Sequence, residues 1–377
     1  MNSKTYFLYN DRLSRHLLSE THPMKPIRLR NTYELLLSYQ AFEPENVQLV
    51  EPRPATEQEI LSFHTIEYVR AVQNSTKGRG LTSQSAFNLG TTDNPSYKGI
   101  YEASCWSTGA SLKAVQLLIA RGANATFNIS GGLHHAMPGY AHGFCVFNDP
   151  VIAIKALVSE GMRVAYVDID CHHGDGVQHA FYDTDKVITI SLHEDGAYLF
   201  PGTGYPQEIG TGEGRGYSVN VPLYPYTSDE VYLWAFQEVV PPLLASFKPD
   251  ALVTQLGIDS HYLDPITHLA LTVQGYGKVV AELRKLAPSK WLALGGGGYS
   301  IQAVARAWTL AFGIISGQDF PDKIPSSYSE QHNVTELTDH QGPKFENLIV
   351  HETRNFATKS VQAVQRLVFP HHGIKVT

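Results

Sequence analysis

Five short apolar segments, separated by longer helical patterns, constrain the fold of this chain more than any other feature of its sequence. The segments lie at 125–130, 162–170, 186–193, 250–259 and 290–296. Their apolar residues are nearly continuous, which is typical of strands buried on both faces of a parallel sheet. Helical patterns occupy 101–122, a stretch beginning at Thr227 or Ser228, and a stretch beginning near Ser300. This alternation predicts an α/β fold with one open, mostly parallel sheet and helices on both faces.

The flanking stretches, residues 1–60 and 318–377, show less regular patterns than the middle of the chain. No internal repeat and no linker rich in Pro or Ser separates them from the rest. We therefore expect both stretches to wrap the core rather than to form domains of their own.

Composition argues against several classes of protein. The formal net charge is −7, and Lys and Arg do not cluster as they do on nucleic-acid-binding surfaces. No stretch approaches the roughly 18 continuous apolar residues of a membrane span, and the first residues lack the apolar segment of a signal peptide. The three cysteines, Cys105, Cys145 and Cys171, are too few and too scattered for a disulfide framework. We expect a cytoplasmic protein that binds neither nucleic acid nor membrane.

Clusters of His, Asp or Gly follow the apolar segments at the point where each predicted strand ends. In open α/β sheets, ligands bind at the carboxyl ends of the strands. The clusters should therefore meet along one edge of the sheet. The sequence holds 17 histidines, several of them adjacent to one another, so imidazole chemistry is expected there.

Asp170 and His172 follow the second apolar segment, and Asp259 ends the fourth. Residues i and i+2 of an extended segment point to one side, so Asp170 and His172 could face one ion. Two carboxylates and one imidazole leave a position open, as a catalytic Zn²⁺ site requires. The oxygen-rich donor set also suits Fe²⁺. Taken alone, the Asp-x-His pattern could equally cap the following helix.

The pair His134-His135 follows two glycines, and Asp168 and Asp175 flank the Asp-x-His pattern. Hydrolysis of an amide needs a base for the attacking water and an acid for the departing amine. One imidazole can do both if a carboxylate orients its other nitrogen. We expect His135 to be the principal acid and base, with electrostatic help from His134.

Four glycines, 295–298, precede Tyr299 after the last apolar segment. Glycine-rich loops can cradle phosphate, but neither a P-loop nor a dinucleotide-binding pattern is present. A phenol donor opposite a metal ion would stabilise a developing oxyanion. Tyr299 is therefore a candidate oxyanion donor, with a buried core tyrosine as the alternative.

These motifs together resemble the zinc-dependent histone deacetylase family, in particular its bacterial acetoin-utilisation branch. The matching segments, in family order, are GGLHHA, GFCVFND, VAYVDIDCHHGDGVQHAFY, ISLH, FPGTG, LGIDSHYLDP and GGGGY. They extend over roughly residues 20–315. The resemblance implies an arginase-like α/β fold and a hydrolase that removes acetyl groups from acetyl-lysine or a related acetylated amine. We expect one deacetylase domain over 1–377, with a catalytic core at about 20–315 and residues 318–377 packed on it.

The resemblance also implies roles for individual residues. The zinc ligands would be Asp170, His172 and Asp259. The tandem catalytic histidines would be His134 and His135, paired with Asp168 and Asp175 respectively, and Tyr299 would bind the scissile carbonyl. The acyl-lysine channel would be formed by Phe144, Phe200, Gly143 and Ile266, with Asp93 as a rim carboxylate that grips the substrate backbone.

The family binds monovalent cations as well, which implies two K⁺ or Na⁺ sites. One would use Asp168, Asp170, His172, Ser191 and Leu192. The other would use Phe181, Thr184, Val187 and Tyr217. Arg28 would correspond to an arginine that lines an internal exit for acetate.

Three positions depart from the pattern common in the family: Leu133 replaces a Trp, Ile266 a Met or Leu, and Ser300 an Asn. The substrate therefore stays open between acetylated protein and small acetylated amines. An acetylpolyamine hydrolase is the first alternative, although no long loop insertion that would narrow the mouth is present. A binuclear manganese ureohydrolase would need an Asp where Gly174 stands. A phosphatase using Asp168 and Asp170 would leave Asp259 and Tyr299 without a role. A non-catalytic acyl-lysine-binding or scaffold protein would be signalled by loss of a metal ligand or of the catalytic tyrosine, and every such position is filled. The sequence gives no indication of oligomeric state.

Overall fold

The structure is a computed structural model that describes residues 4–15, 18–76, 85–120 and 122–375. Its eight strands are β1 (Thr5–Leu8), β2 (Val47–Val50), β3 (Ala125–Asn128), β4 (Val164–Asp168), β5 (Val187–Glu194), β6 (Ser218–Leu223), β7 (Ala251–Gln255) and β8 (Trp291–Leu294). They form one open sheet in the order β2-β1-β3-β8-β7-β4-β5-β6. Every neighbouring pair is parallel. The predicted fold class is confirmed.

Eleven α-helices lie in the described part of the chain. They are α1 (Ile27–Ser38), α2 (Glu57–Ile60), α3 (Ile66–Thr76), α4 (Ile100–Ala120), α5 (Asp149–Ser159), α6 (Asp175–Ala180), α7 (Asp229–Phe247), α8 (Val273–Leu286), α9 (Ile301–Ser316), α10 (Ser326–His332) and α11 (Asn347–Leu367). None of these helices is long and apolar enough to cross a membrane.

Successive side chains of each strand point to opposite faces of the sheet, and both faces are covered. In β4, Ala165 and Val167 pack into a core built with α7, α8 and α9. Their neighbours Val164 and Tyr166 pack into a second core, built with α4 and α5. Burial on both faces explains why the strands read as nearly continuous apolar runs rather than alternating ones.

All five predicted strands are present, as β3, β4, β5, β7 and β8. The three predicted helices are α4, α7 and α9. Ser228 precedes α7, and Gly317 follows α9 with a φ of 78°, the left-handed conformation that commonly ends a helix.

The description of residues 1–60 and 318–377 as irregular was wrong. The first stretch supplies β1, β2 and α1, and β1 pairs with β3 inside the sheet. The last stretch contains the 21-residue helix α11, which packs on β6 and α7. β2 gives a weak pattern because it lies at the edge of the sheet and two of its four residues are exposed.

Candidate active site

The carboxyl ends of β3, β4, β7 and β8 meet at one edge of the sheet, where the predicted clusters converge on a pocket. The pocket is lined by Asp93, His135, Gly143, Phe144, His172, Leu199, Phe200, Ile266 and Tyr299. All of these except Leu199 were predicted site residues. The structure therefore brings together side chains that lie up to about two hundred residues apart in sequence, as expected for strand ends of one parallel sheet.

At the base of the site, Asp170, His172 and Asp259 present one donor atom each within 4.8 Å of one another, and all three are buried. His172 Nδ1 lies 3.1 Å from Asp170 Oδ1 and 3.0 Å from Asp259 Oδ2. Zinc–oxygen and zinc–nitrogen bonds are about 2 Å long, so ligands of one ion lie roughly 3 Å apart. The spacing and the donor types therefore fit a single zinc ion.

Neighbouring groups fix the orientation of both carboxylates. Asp170 Oδ2 accepts hydrogen bonds from Gln255 Nε2 at 2.6 Å and from the Gly297 N–H at 2.7 Å. Asp259 Oδ1 accepts one from the Cys171 N–H at 2.7 Å. Partners of this kind hold metal ligands in place. The glycine-rich loop is thus tied to a ligand by its backbone, which is not the arrangement of a phosphate cradle.

The charges of this cluster also suit a divalent cation. Burial raises the pKa of Asp259, and the neighbouring Asp170 carboxylate raises it further. For His172, burial opposes protonation, but hydrogen bonding to Asp170 and Asp259 raises its pKa well above the usual value. Two buried carboxylates side by side need a compensating positive charge, and a divalent ion supplies it.

Position 174 supplies no carboxylate that could bridge two metal ions. Position 174, where a ureohydrolase would carry its additional Asp, is a glycine packed against Asp168. A Cβ atom on Gly174 would lie 2.4 Å from Asp168 Oδ2. Within the described residues, Asp170, His172 and Asp259 are the one cluster suited to a metal ion.

The two tandem histidines each contact the carboxylate predicted for it. His134 Nδ1 lies 2.8 Å from Asp168 Oδ2, and His135 Nδ1 lies 2.6 Å from Asp175 Oδ1. The rings stand next to each other, with centroids 4.0 Å apart. Since Nδ1 of each ring is occupied, Nε2 is the atom left for chemistry.

The two rings differ in charge. For His134, burial disfavours the charged form, but the Asp168 and Asp170 carboxylates outweigh it and raise the pKa to about 9. For His135, burial and the charge of His134 lower the pKa to about 3. A neutral His135 beside a cationic His134 is the arrangement that a general base with an electrostatic neighbour requires.

Buried polar groups anchor the loop that carries these histidines. Asp149, at the start of α5, accepts hydrogen bonds from the Gly132 and Leu133 N–H groups at 3.1 and 2.9 Å. The Asn148 amide donates to the carbonyls of His134 and Ala136 at 3.0 and 2.9 Å. The loop is therefore held at fixed points on both sides of the catalytic pair.

Tyr299 is half-buried in the pocket wall, and a carboxylate fixes its backbone. Its N–H donates to Asp264 Oδ2 at 2.8 Å, and its ring lies edge-on to Phe144 with centroids 5.8 Å apart. Arg28 Nη1 donates to the carbonyl of Gly298 at 2.9 Å from behind. The phenol thus lies in the pocket rather than in the core, which answers the alternative raised by the sequence.

A tight turn places Phe144 in the channel. His142 and Cys145 exchange backbone hydrogen bonds at 3.0 and 2.9 Å, and both residues between them, Gly143 and Phe144, have positive φ. A Cβ on Gly143 would lie 2.5 Å from His135 Cδ2, so only glycine fits there. On the opposite wall, the Phe200 ring lies 5.1 Å from that of His135.

The residues of the first predicted cation site lie at or near the carboxyl ends of β4 and β5. Ser191 pairs with Asp168 in register between β5 and β4, and Leu192 follows it. The second set lies around the opposite end of β5. Phe181 and Thr184 precede that strand, Val187 begins it, and the Tyr217 carbonyl accepts from the Thr189 N–H at 2.9 Å. Both cation sites stay predictions.

Arg28 is buried on α1 and lies against the Trp308 ring at 5.1 Å. It lines a separate, partly open cavity together with Leu133 and Phe144. Burial lowers the pKa of Arg28, whereas electrostatic interactions with Tyr299 and Asp259 raise it. The position agrees with the predicted lining of an internal exit, a role that stays a prediction.

Several contributing residues were given no role from the sequence: His64, His142, Gln255 and Asp264. Asp264 and His142 lie in or next to motif segments, so their place in the pattern was a usable signal. Gln255 likewise directly precedes the LGIDSHYLDP segment. His64 acts through contacts to residues far away in sequence, and no local pattern marks it.

Comparisons with known proteins agree with the fold and the site. The profile of the histone deacetylase domain matches residues 22–315. The acetoin utilization protein AcuC of Bacillus subtilis (strain 168) is 38% identical over 347 residues, covering 86% of this chain and 89% of that protein. AcuC of Staphylococcus aureus (strain MRSA252) is 39% identical over 318 residues, covering 82% of this chain and 81% of that protein.

Solved structures give the same result. A crystal structure of an HDAC homolog complexed with SAHA superposes with a TM-score of 0.86 at 29% identity, covering 95% of this chain and 100% of that one. An HDAC homolog from Aquifex aeolicus gives a TM-score of 0.85 at 29% identity, with the same coverage.

The fold and the site define the class: a hydrolase of the arginase/deacetylase-like fold, with a cluster suited to a catalytic metal ion at the carboxyl ends of its sheet. The profile match and the identity to the AcuC proteins go further. This chain belongs to the histone deacetylase family. It is a deacetylase that acts on acetylated amines or lysines, and zinc is the usual metal of that family.

Proposed function

We propose that Asp170, His172 and Asp259 hold the catalytic ion, with zinc as the expected metal and Fe²⁺ as the competitor. The convergence of three buried donor atoms beneath an accessible pocket carries this proposal. A bound zinc ion supplies a Lewis acid, which polarises a carbonyl group and makes water a stronger acid.

In this proposal His135 transfers the protons of the reaction. Its Nε2 takes a proton from the attacking water and later gives it to the departing amine. Asp175 holds the ring through Nδ1 at 2.6 Å and stabilises the imidazolium that forms between the two transfers. His134, held by Asp168 at 2.8 Å, stays protonated and stabilises negative charge on the reacting groups.

Tyr299 is the proposed hydrogen-bond donor to the carbonyl oxygen of the substrate. Its ring packs against Phe144 and its N–H is bound to Asp264, so the phenol needs little reorganisation when charge develops. Fixed donors of this kind stabilise an oxyanion more than mobile water does.

The substrate is proposed to be the acetylated amine of a lysine side chain or of a small alkylamine. Phe144 and Phe200 face the same pocket, and their rings suit the apolar stem of such a chain. Asp93 is exposed at the mouth and is proposed to accept the backbone N–H groups of a peptide substrate.

The choice between peptide and small amine can be tested at Asp93. We expect Asp93→Ala to raise KM for an acetyl-lysine peptide and to leave KM for an N-alkylacetamide unchanged, because that compound has no backbone N–H to bind. The matched control is Thr92→Ala, an exposed neighbour. Equal effects of Asp93→Ala on both substrates would remove the proposed grip on peptide backbone.

Two further roles are proposed. Asp168, Asp170, His172, Ser191 and Leu192 form one structural K⁺ or Na⁺ site, and Phe181, Thr184, Val187 and Tyr217 form the other. The chain acts as one deacetylase unit, with residues 318–377 packed on the core. The in-register pairing of Asp168 with Ser191 supports the first cation site. The contacts of α11 with β6 and α7 support the packing of residues 318–377 on the core.

A further inference from the structure

Asp175 has a second imidazole partner, His142, besides His135. Its Oδ1 is bound by His135 Nδ1 at 2.6 Å. Its other oxygen, Oδ2, lies 3.0 Å from Nδ1 of His142. The carboxylate that orients the proposed general base is therefore held between two histidines.

Backbone hydrogen bonds fix the main chain of His142, as they fix the turn that forms the channel wall. His142 is the first residue of the turn that presents Phe144, and it exchanges both backbone hydrogen bonds with Cys145. Its ring also packs against Phe200, with centroids 4.7 Å apart. The backbone of the turn and the contact with Phe200 together favour the position of the ring beside Asp175.

The short distance indicates where His142 carries its proton. Two lone pairs 3.0 Å apart would repel each other, so Nδ1 must bear hydrogen when it faces the buried Asp175 carboxylate. The N–H does not point along the line to Oδ2, and Nδ1 makes no aligned hydrogen bond to any described residue. The contact is therefore electrostatic, and it stabilises Asp175 as the anion.

His142 also covers part of Asp175 where both residues border a second pocket. On the side away from the acyl channel lies a second pocket, bordered by Tyr140, His142, Asp175 and His179. The His142 side chain is 24% exposed, whereas that of Asp175 is 9% exposed. Without the imidazole, water from this pocket could reach Oδ2 and compete for the carboxylate.

We propose that His142 is a positioning residue for the deacetylase reaction. It holds Oδ2 of Asp175 and limits the access of water to it, so that Oδ1 stays on His135 Nδ1 and Nε2 of His135 stays directed at the substrate. This inference rests on the roles proposed for His135 and Asp175. Its physical basis is the preorganisation of a catalytic group by a partner one contact further out.

The first test separates positioning from wall packing. His142→Ala should lower kcat by about tenfold or more, the scale for losing a group that orients a catalytic one, with KM nearly unchanged. His142→Asn should recover most of the turnover, because its amide N–H can lie where Nδ1 lies. The control His179→Ala removes an exposed histidine from the same pocket and should leave kcat unchanged.

A double-mutant cycle tests whether His142 acts through Asp175. In an Asp175→Asn background, His142→Ala should cause little further loss, because the charge that it holds is already gone. An undiminished loss in that background, or a wild-type kcat for His142→Ala, would overturn the inference. Wild-type activity of Asp175→Asn itself would instead overturn the role proposed for Asp175, so the two failures are distinguishable. Thermal unfolding of each variant verifies that it is folded.

Discussion

His64, a histidine outside the pocket, should make the free energy of unfolding fall in acid by an amount that can be calculated. His64 is buried beneath the loop of the catalytic histidines. Its Nε2 accepts a hydrogen bond from the Asn148 N–H at 3.0 Å, and Nδ1 faces the Met137 carbonyl at 3.1 Å. The ring is thus neutral, with hydrogen on Nδ1. Protonation of Nε2 would place its N–H group against the N–H group of Asn148.

Burial lowers the pKa of His64 from 6.5 to about 4. Because the folded pKa lies below the unfolded one, the unfolded chain binds this proton more readily in the interval between them. The stabilising contribution is present above pH 6.5 and is lost as the pH falls toward 4. Going from about pH 7 to about pH 5 costs the folded state about 2 kcal/mol through this residue.

The measurement is urea unfolding of the wild type and of His64→Gln near pH 7 and near pH 5. We expect His64→Gln to be less stable near pH 7, because it loses a hydrogen bond, but to lose about 2 kcal/mol less than the wild type on acidification. His351→Gln, at an exposed site on α11, is the control and should follow the wild type.

The reasoning would be refuted by parallel losses of stability in the wild type and His64→Gln. That result would mean that His64 takes up its proton in the folded state as easily as in the unfolded chain. Burial and the Asn148 contact would then have no influence on its titration.

Two other predictions concern the site. Tyr299→Phe removes the phenol hydroxyl and leaves the ring against Phe144. We therefore expect kcat to fall by roughly 10²–10³-fold with KM little changed, measured in a steady-state acetyl-lysine assay. Turnover within a few-fold of wild type would exclude Tyr299 as oxyanion donor. Gly131→Ala would place a Cβ 2.4 Å from Asp149 Oδ2, so overpacking should lower the free energy of unfolding by about 1–3 kcal/mol. Gly139→Ala, where a Cβ meets nothing within 4 Å, is the matched control, and equal urea midpoints for the two variants would contradict this packing argument.

The middle of the sheet was predictable because its strands are buried on both faces. β4 and β7 carry apolar side chains at nearly every position, which gives a strong signal even without a period. β6 was missed because it contains Asn220 and Pro222 and lies at the edge of the sheet, where proline is tolerated. β1 and β2 were also missed. Length alone does not explain this, since β3 and β8 have four residues as well, but β2 is an edge strand with two exposed residues.

Much of the site was predictable because its chemistry is concentrated in short motifs at strand ends. Asp170 and His172 could be grouped with Asp259 because both segments follow strands of one parallel sheet. The contact between His142 and Asp175 could not be inferred in that way. It depends on a turn that aims one ring at a carboxylate on another element, and this direction is a property of the folded backbone.

The most direct test of the account is the metal content of the purified protein, measured by mass spectrometry together with deacetylase turnover. Wild type and Asp319→Asn, an exposed control, should hold close to one divalent ion per chain, as one cluster of three donors predicts. Asp259→Asn should lose most of the metal and the activity together. Full metal content and full turnover in Asp259→Asn would contradict the proposed centre.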